Sequence, residues 1–245
     1  MCIRLTIDCG NTATKAVVWD GDSPLSEELF PDFSRTEICS LVDRYHPDSA
    51  IVCSVRDSGC RLVSLLREIM PEGSRVVKLS SSTPLPIKIG YLSPKTLGVD
   101  RIAAAVGAWT LCPGQQVLIA DIGTAATYDV LSADGCFIGG NISPGVGMRL
   151  RALNRFTARL PLIDSKGDTP TFGRTTETAL RAGAINGVVA ELIFYHSQLG
   201  EDARLIMTGG WSSDLIRFIP QLKPQIVPML VCIGLNRILS YNENI

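Results

Sequence analysis

No charge of either sign dominates this 245-residue sequence, in which 23 Lys and Arg stand against 24 Asp and Glu for a net charge of -1. That balance excludes the basic footprint needed to hold nucleic acid or an anionic membrane, so any phosphate must be gripped locally. No C-x-x-C pair occurs among the eight cysteines (2, 9, 39, 53, 60, 112, 136 and 232), and only His46 and His196 could complete a zinc site. The thiols are therefore expected to be reduced and mostly buried. The late apolar stretch 226–235 is about half of what a spanning helix needs and contains Pro228, so no membrane segment is expected. The opening MCIRLTIDCG has an acidic residue where a secretory signal needs apolar ones, and it lacks the Arg- and Ser-rich character of a transit peptide. Cytoplasm is the expected location. Three nucleotide or nucleophile signatures are also missing: G-x-x-x-x-G-K-[ST], G-x-G-x-x-G and G-x-S-x-G. P-loop, Rossmann and α/β-hydrolase readings lose their support.

What is present is a chain with 46% hydrophobic residues and no low-complexity segment, enough for one large core or two small domains. Residues 4–9 and 14–19 are apolar, β-branched runs around the turn signal C-G-N-T, which predicts a β-hairpin. Residues 117–122 and 126–131 repeat the design around I-G-T-A. Aligning DCGNTATK (8–15) with DIGTAATY (121–128), an offset of 113, matches Asp, Gly, Ala and Thr and points to an internal duplication. Between the hairpins the pattern predicts a helix (35–46), a strand (50–55), a helix (58–70), a strand (75–79) and a Pro- and Ser-rich connector. An Ala-rich helix over 97–111 is expected to cross between the halves. Helices follow near 145–156, 176–199, 212–219 and 228–240, with a strand at 204–208. The halves are set at 1–112 and 113–245, and a cleft between such repeats is where a small ligand would bind.

The first candidate for chemistry is Asp8-Cys9-Gly10-Asn11-Thr12 with Thr14 and Lys15. Its glycine lets backbone N–H groups approach an anion, its polar side chains add donors, and Lys15 adds charge, which suits ATP phosphates. Asp8 would repel phosphate directly and is better placed to hold Mg2+ through water. An ordinary Asn/Gly hairpin turn with a solvated lysine is the plainer alternative. The second copy, Asp121 to Ala125, puts an acidic strand end and a Gly-Thr turn in the matching place. Asp121 would then face Asp8 across the cleft and serve a second cation or the phosphate loop.

Gly98-Val99-Asp100-Arg101 opens the Ala-rich helix, whose N-terminus keeps a carboxylate ionised. Asp100 could accept a proton from an acceptor hydroxyl, and Arg101 could bind a substrate carboxylate through both of its arms. A helix-start Asp beside a surface Arg is the competing reading. Gly139 to Gly145 is a dense run of turn formers before a helix, shaping a cleft floor or connecting elements, and Gly209-Gly210 either admits an adenine or makes a tight turn.

Taken together, several motifs resemble the type III pantothenate kinases over nearly the whole chain. They are D-x-G-N-T with Lys15, Y-x-x-P-x-x-L-G-x-D-R from Tyr91 to Arg101, D-x-G-T-A from Asp121 and G-G-x-I-x-P-G from Gly139. G-R-T-T-E-T-A-L at 173–180 and T-G-G at 208–210 complete the set. The resemblance implies an α/β fold of the duplicated actin-like, hexokinase-like class with two facing domains. It implies phosphorylation of pantothenate by Mg-ATP, the first step of coenzyme A synthesis. Asp100 would be the base, and Asp8, Cys9, Gly10, Asn11, Thr12, Ala13, Thr14, Lys15 and Thr124 would meet ATP. Tyr91, Gly98, Val99, Asp100, Arg101 and Thr176 would meet pantothenate, and Asp121 a monovalent cation, K+ or NH4+. The family is homodimeric, with Thr176 reaching the partner's substrate and the apolar helix over 181–199 as an interface. Cys9 stands where the family more often has an aliphatic residue, a small apolar exchange. Another kinase of the superfamily, or a non-catalytic ATP-binding regulator, would use the same two turns.

Overall fold

Strands β1 (Ile3–Cys9) and β2 (Thr14–Asp20) form the expected first hairpin, pairing antiparallel from Ile3 with Asp20 to Cys9 with Thr14. The computed structural model describes residues 2–31, 34–54 and 58–244. β3 (Ser23–Phe30), unforeseen in the sequence, extends the hairpin as an edge strand. Pro24 is tolerated there because it sits at the register shift opposite Trp19. α1 (Arg35–Tyr45), β4 (Ser49–Ser54), α2 (Ser58–Ile69) and β5 (Arg75–Lys78) follow close to their expected bounds, although Val55, the last residue of the expected strand, lies outside the described residues. The first sheet runs β3-β2-β1-β4-β5, with β4 and β5 parallel to β1. β1 and β4 are buried on both faces, so they read as continuous apolar runs instead of alternating ones.

Short β6 (Lys88–Ile89) and α3 (Val99–Leu111) complete the first run of the chain. β7 (Val117–Ile122), β8 (Ala125–Leu131) and β9 (Cys136–Pro144) form the second meander. They are followed by α4 (Val146–Phe156), α5 (Thr176–Ser197), β10 (Arg204–Thr208), α6 (Ser212–Leu215), β11 (Gln225–Ile226) and α7 (Leu230–Glu243). In the second sheet the order β11-β10-β7-β8-β9 repeats that of the first, with β10 parallel and β8 antiparallel to β7. This repetition is what a duplication leaves behind.

The gapless alignment of the two turns needs a correction. Gly10 N–H closes its turn on Ala13 O at 3.1 Å, whereas Gly123 N–H closes on Ala125 O at 3.0 Å, one residue sooner. Cys9 pairs with Thr14, and Ile122 pairs with Ala126, so the matched Asp and Gly correspond while the matched Ala and Thr are one position out of register. In a strand such a slip moves every side chain to the other face.

The chain divides into two compact units, one of residues 1–114, 134–138 and 229–245, the other of 115–133 and 139–228. The first boundary lies two residues past the expected 112/113 division, while α7, expected in the second half, belongs to the first unit. The reason is a close helix crossing. A Cβ at Gly234 would overlap Ala103 O and one at Gly107 would overlap Leu230 O, so α3 and α7 meet backbone to backbone. On one face of the first sheet Leu5, Ile7, Val18 and Val52 pack with Ile38, Leu62 and Leu66 from α1 and α2. Val17 and Trp19 pack with Cys232 of α7. The second unit has its own core, in which Leu118, Ala120, Leu205 and Met207 meet Leu150, Ile185 and Val188.

Candidate functional site

The hairpin register sets Asp8 beside Lys15 across β1 and β2, and beside Cys53 across β1 and β4. Asp8 is buried at the mouth of the turn, while Asn11 and Thr12 are exposed at its tip. The Cys9 side chain points into the core, so only its backbone is available to a ligand at the turn. Cys53 is completely buried, which pushes its thiol well above the usual range, and the carboxylates of Asp8 and then Asp100 push it further. Burial likewise raises the Cys232 thiol, with Asp8 adding to the effect while a hydrogen bond to Thr6 and the charge of Lys15 oppose it. Both thiols stay neutral beneath the acidic groups. The two aspartates read separately from the sequence thus belong to one electrostatic neighbourhood.

At the start of α3, where Gly98 is the N-cap, the Arg101 N–H donates to Asp100 Oδ1 at 2.9 Å, so Asp100 satisfies one of the free N–H groups of the first turn, as the helix-start Asp of the competing reading does. Asp100 is also half-exposed, and a Cβ at Gly98 would lie 2.5 Å from Oδ1, so the glycine leaves room for the carboxylate to fold back over the helix start. Arg101 is buried instead of being the surface residue of that reading. Its guanidinium lies 5.7 Å from the ring centres of both Tyr91 and Phe137, which meet edge to face at 6.1 Å. β6 positions this group: Lys88 and Ile89 pair with Cys136 and Phe137, bringing Tyr91 to Phe137. Phe137 was not foreseen, since nothing in the sequence marks it apart from other core aromatics.

In the second unit Asp121 is the penultimate residue of β7, among glycines. A Cβ at Gly209, where φ is +88°, would lie 2.5 Å from Asp121 Oδ1, and one at Gly123 would lie 3.4 Å away. Gly209 is therefore required both by its backbone and by the carboxylate beside it. Gly145 N–H donates to Thr124 O at 3.1 Å, and a Cβ at Gly145 would overlap that carbonyl, so the start of α4 is seated on the Gly-Thr turn. Gly139 to Pro144, expected as a turn-forming run, is the second part of β9; a Cβ at Gly140 would overlap Asp129 and Tyr128, which explains glycine within a strand. Thr176 is exposed in the first turn of α5, behind the capping box of Thr175 and Thr178.

A second cluster was missed. Glu191 on α5 accepts from Tyr128 at 2.8 Å, Ser143 at 3.0 Å and Arg149 at 2.5 Å. Burial, and then the Glu191 carboxylate, raise the Tyr128 phenol far above its usual range. The available signal was Gly187 inside a long helix, where a Cβ would lie 2.6 Å from the Arg149 guanidinium.

Among the described residues no group of three or more His, Cys, Asp or Glu could hold a metal by itself, and no helix is long and apolar enough to cross a membrane. A single carboxylate such as Asp8 beside a phosphate turn suits Mg2+, which takes one or two protein carboxylates and completes its shell with phosphate and water. Around Asp121 the glycines at 123 and 209 leave backbone instead of side chains beside the carboxylate.

A family model described as "Type III pantothenate kinase" matches residues 4–194. The chain is 39% identical to the type III pantothenate kinase of Phocaeicola vulgatus, over 99% of this chain and 100% of that one. Its fold is similar to that of a Campylobacter jejuni protein named for a Baf family of transcriptional activators (TM-score 0.66, 19% identity, 98% and 100% covered). It is also similar to a Sinorhizobium meliloti structure named as a 2-dehydro-3-deoxygalactonokinase (TM-score 0.62, 13% identity, 99% and 100% covered). The fold is the duplicated actin-like, hexokinase-like one.

Proposed function

The chain belongs to the type III pantothenate kinase family, and we propose that it carries out that reaction, transfer of the γ-phosphoryl group of ATP to pantothenate, with Asp100 as general base. The observation that carries the mechanistic part is geometric: Asp8 lies at the mouth of the first turn, and Asp100 is half-exposed at the start of α3 with Oδ1 held by the Arg101 N–H. One carboxylate serves the phosphate side and the other the acceptor side of a single reaction. Phosphoryl transfer asks the protein mainly to position its reactants and offset charge, and both turns suit that task.

Of the proposed ATP phosphate contacts, Asp8 to Lys15 belong to the first unit and Thr124 to the second. Asp8 would hold Mg2+ when it is bound with ATP, and the ion would supply charge to offset that of the phosphate oxygens. Asp121 would hold a monovalent cation. Asp100 takes the proton of the primary hydroxyl, and because Oδ1 is tied to the Arg101 N–H, the carboxylate is oriented before substrate arrives. Arg101, fixed against Tyr91 and Phe137, binds the pantothenate carboxylate, and Gly98 and Val99 complete that wall.

The same reading makes the protein a cytoplasmic homodimer joined through α4 and α5. Phe156 on α4 is 81% exposed and lines a cavity of about 450 Å³ with Leu153 and Ala184, and Phe194 on α5 is 57% exposed. The exposed Thr176 at the head of α5 then serves the partner's substrate.

ADP formation with ATP alone, with ATP and pantothenate, and with ATP and other hydroxyl compounds tests the reaction. Turnover that depends on pantothenate is expected. Turnover with a different acceptor alone, or none, would overturn it.

A further inference from the structure

Glu191 ties together three elements that surround the Gly123-Thr124-Ala125 turn, and none of its partners is a surface accident. Tyr128, whose hydroxyl donates to Oε2 at 2.8 Å, is buried on β8, the strand that leaves the turn. Ser143, whose hydroxyl donates to Oε1 at 3.0 Å, sits near the end of β9. Arg149 on α4 donates through Nη2 to Oε1 at 2.5 Å and to Ser143 Oγ at 2.9 Å, and through Nε to Pro144 O at 2.8 Å. The guanidinium therefore holds the carbonyl immediately before Gly145, whose own N–H holds Thr124 O. From the α5 carboxylate to the turn the path is continuous: Glu191, Arg149, Pro144, Gly145, Thr124.

The helix is shaped for this arrangement. Gly187 stands one turn before Glu191, and a side chain there would run into Arg149 Nη1 at 2.6 Å. An interior glycine weakens a helix relative to alanine, so its presence fits a helix that must admit the guanidinium. Both charged groups are largely shielded, with 19% and 27% of the Arg149 and Glu191 side chains exposed, so the pair is stronger and more directional than a surface ion pair.

We propose that Glu191 and Arg149 are positioning residues for ATP, a clamp that holds the Thr124 turn in the geometry its phosphate contacts require. The inference rests on the reading of that turn as an ATP contact. Because the clamp acts on the second turn, and Tyr91, Asp100 and Arg101 belong to the other unit, loosening it changes the response to ATP and leaves pantothenate recognition intact.

The test is steady-state kinetics on the purified full chain, varying ATP and pantothenate separately, with the thermal midpoint measured for each variant. Glu191→Gln keeps the size and an acceptor oxygen but removes the ion pair, and should raise the KM for ATP roughly tenfold with the KM for pantothenate unchanged, within the ~10²-fold that small misplacements can cost. Arg149→Lys should fall between wild type and Arg149→Ala, since it keeps the charge and loses the two-armed grip. Leu192→Ala, a core truncation beside Glu191 on the same helix, should lower the midpoint and leave both KM values alone. An unchanged KM for ATP in Glu191→Gln, an equal rise in both KM values, or a rise matched by Leu192→Ala overturns the clamp. If Glu191→Gln does not fold, Arg149→Lys is judged by the same split. Thr124→Ala separates premise from inference: unchanged ATP kinetics there remove the turn as an ATP contact and the clamp with it. A raised KM in Thr124→Ala with a silent Glu191→Gln removes the clamp alone.

Discussion

Asp100 accepts the backbone N–H of its own neighbour Arg101 at 2.9 Å, so one carboxylate serves the first turn of α3 and the acceptor side of the proposed reaction. The two roles separate under substitution. Asn at position 100 can still accept that N–H through its amide oxygen but cannot take a proton. Asp100→Asn should therefore lose roughly 10²–10⁴ in kcat, while ATP affinity and thermal midpoint stay near wild type. Turnover, ATP binding and unfolding measured on the same preparation check this, and turnover close to wild type would remove Asp100 as the base.

Gly98 gives an independent handle on the same oxygen. A methyl group there would press on Asp100 Oδ1 from 2.5 Å, so Gly98→Ala should turn the carboxylate aside. A fall in kcat with little change in the KM for ATP is expected, and unaltered kcat would show that the carboxylate has room to spare.

Gly234→Ala sets propensity against packing. In an exposed helix the exchange would stabilise by about 0.8–1 kcal/mol. Here the added methyl meets Ala103 O, and overpacking a close contact costs typically 1–3 kcal/mol or more. Packing should win, and a calorimetric scan should show a lower midpoint. A higher midpoint would mean that the α3–α7 crossing relaxes easily.

Replacing sodium by potassium or ammonium at constant ionic strength should raise turnover, since the monovalent cation proposed for Asp121 is one that sheds water readily. Gly209→Ala, which crowds Asp121 Oδ1 and forces alanine into a left-handed backbone, should abolish the difference. Equal rates in sodium and potassium for the wild type would defeat the assignment.

Thiol reagents should distinguish the cysteines by position. Cys9, Cys53, Cys112 and Cys232 are buried, whereas Cys2 and Cys60 are exposed, and Cys60 Sγ accepts from Lys78 Nζ at 3.0 Å. Iodoacetamide should label Cys60 in the native protein and the four buried thiols only after unfolding. Mass spectrometry of timed aliquots reads this directly, and early labelling of Cys53 would contradict the packing beneath Asp8.

Most elements were legible because their signals are local. Strand 204–208 is apolar and bounded by turn residues, and α3 is Ala-rich behind Gly98, so each fell at or near its expected bounds. β3 escaped because SPLSEELF mixes charge with leucine, as an edge strand exposed along most of its length does. The latter part of β9 escaped because Gly-Gly-Asn-Ile-Ser-Pro has turn composition, and what makes it a strand is the close approach of Tyr128 and Asp129 to Gly140, a nonlocal fact. The one-residue difference between the two turns was hidden by the Ala and Thr that align by identity. At the site, Asp8, Asp100, Arg101 and Asp121 were visible as residues. Their surroundings were not: the rings that fix Arg101, the thiol beneath Asp8 and the Glu191 cluster depend on pairings between distant strands.

The membership of α7 in the first unit bears on how the polypeptide acquires its structure during synthesis. Residues 1–114 leave the ribosome before 229–245 exist, so Val17, Trp19 and the face of α3 around Gly107 emerge without the helix that covers them. The opening hairpin, although earliest in translation, completes its packing only after the second unit has been made. Until then its nascent apolar face is a natural target for chaperones, and a fragment ending near residue 114 should aggregate instead of forming an autonomous domain.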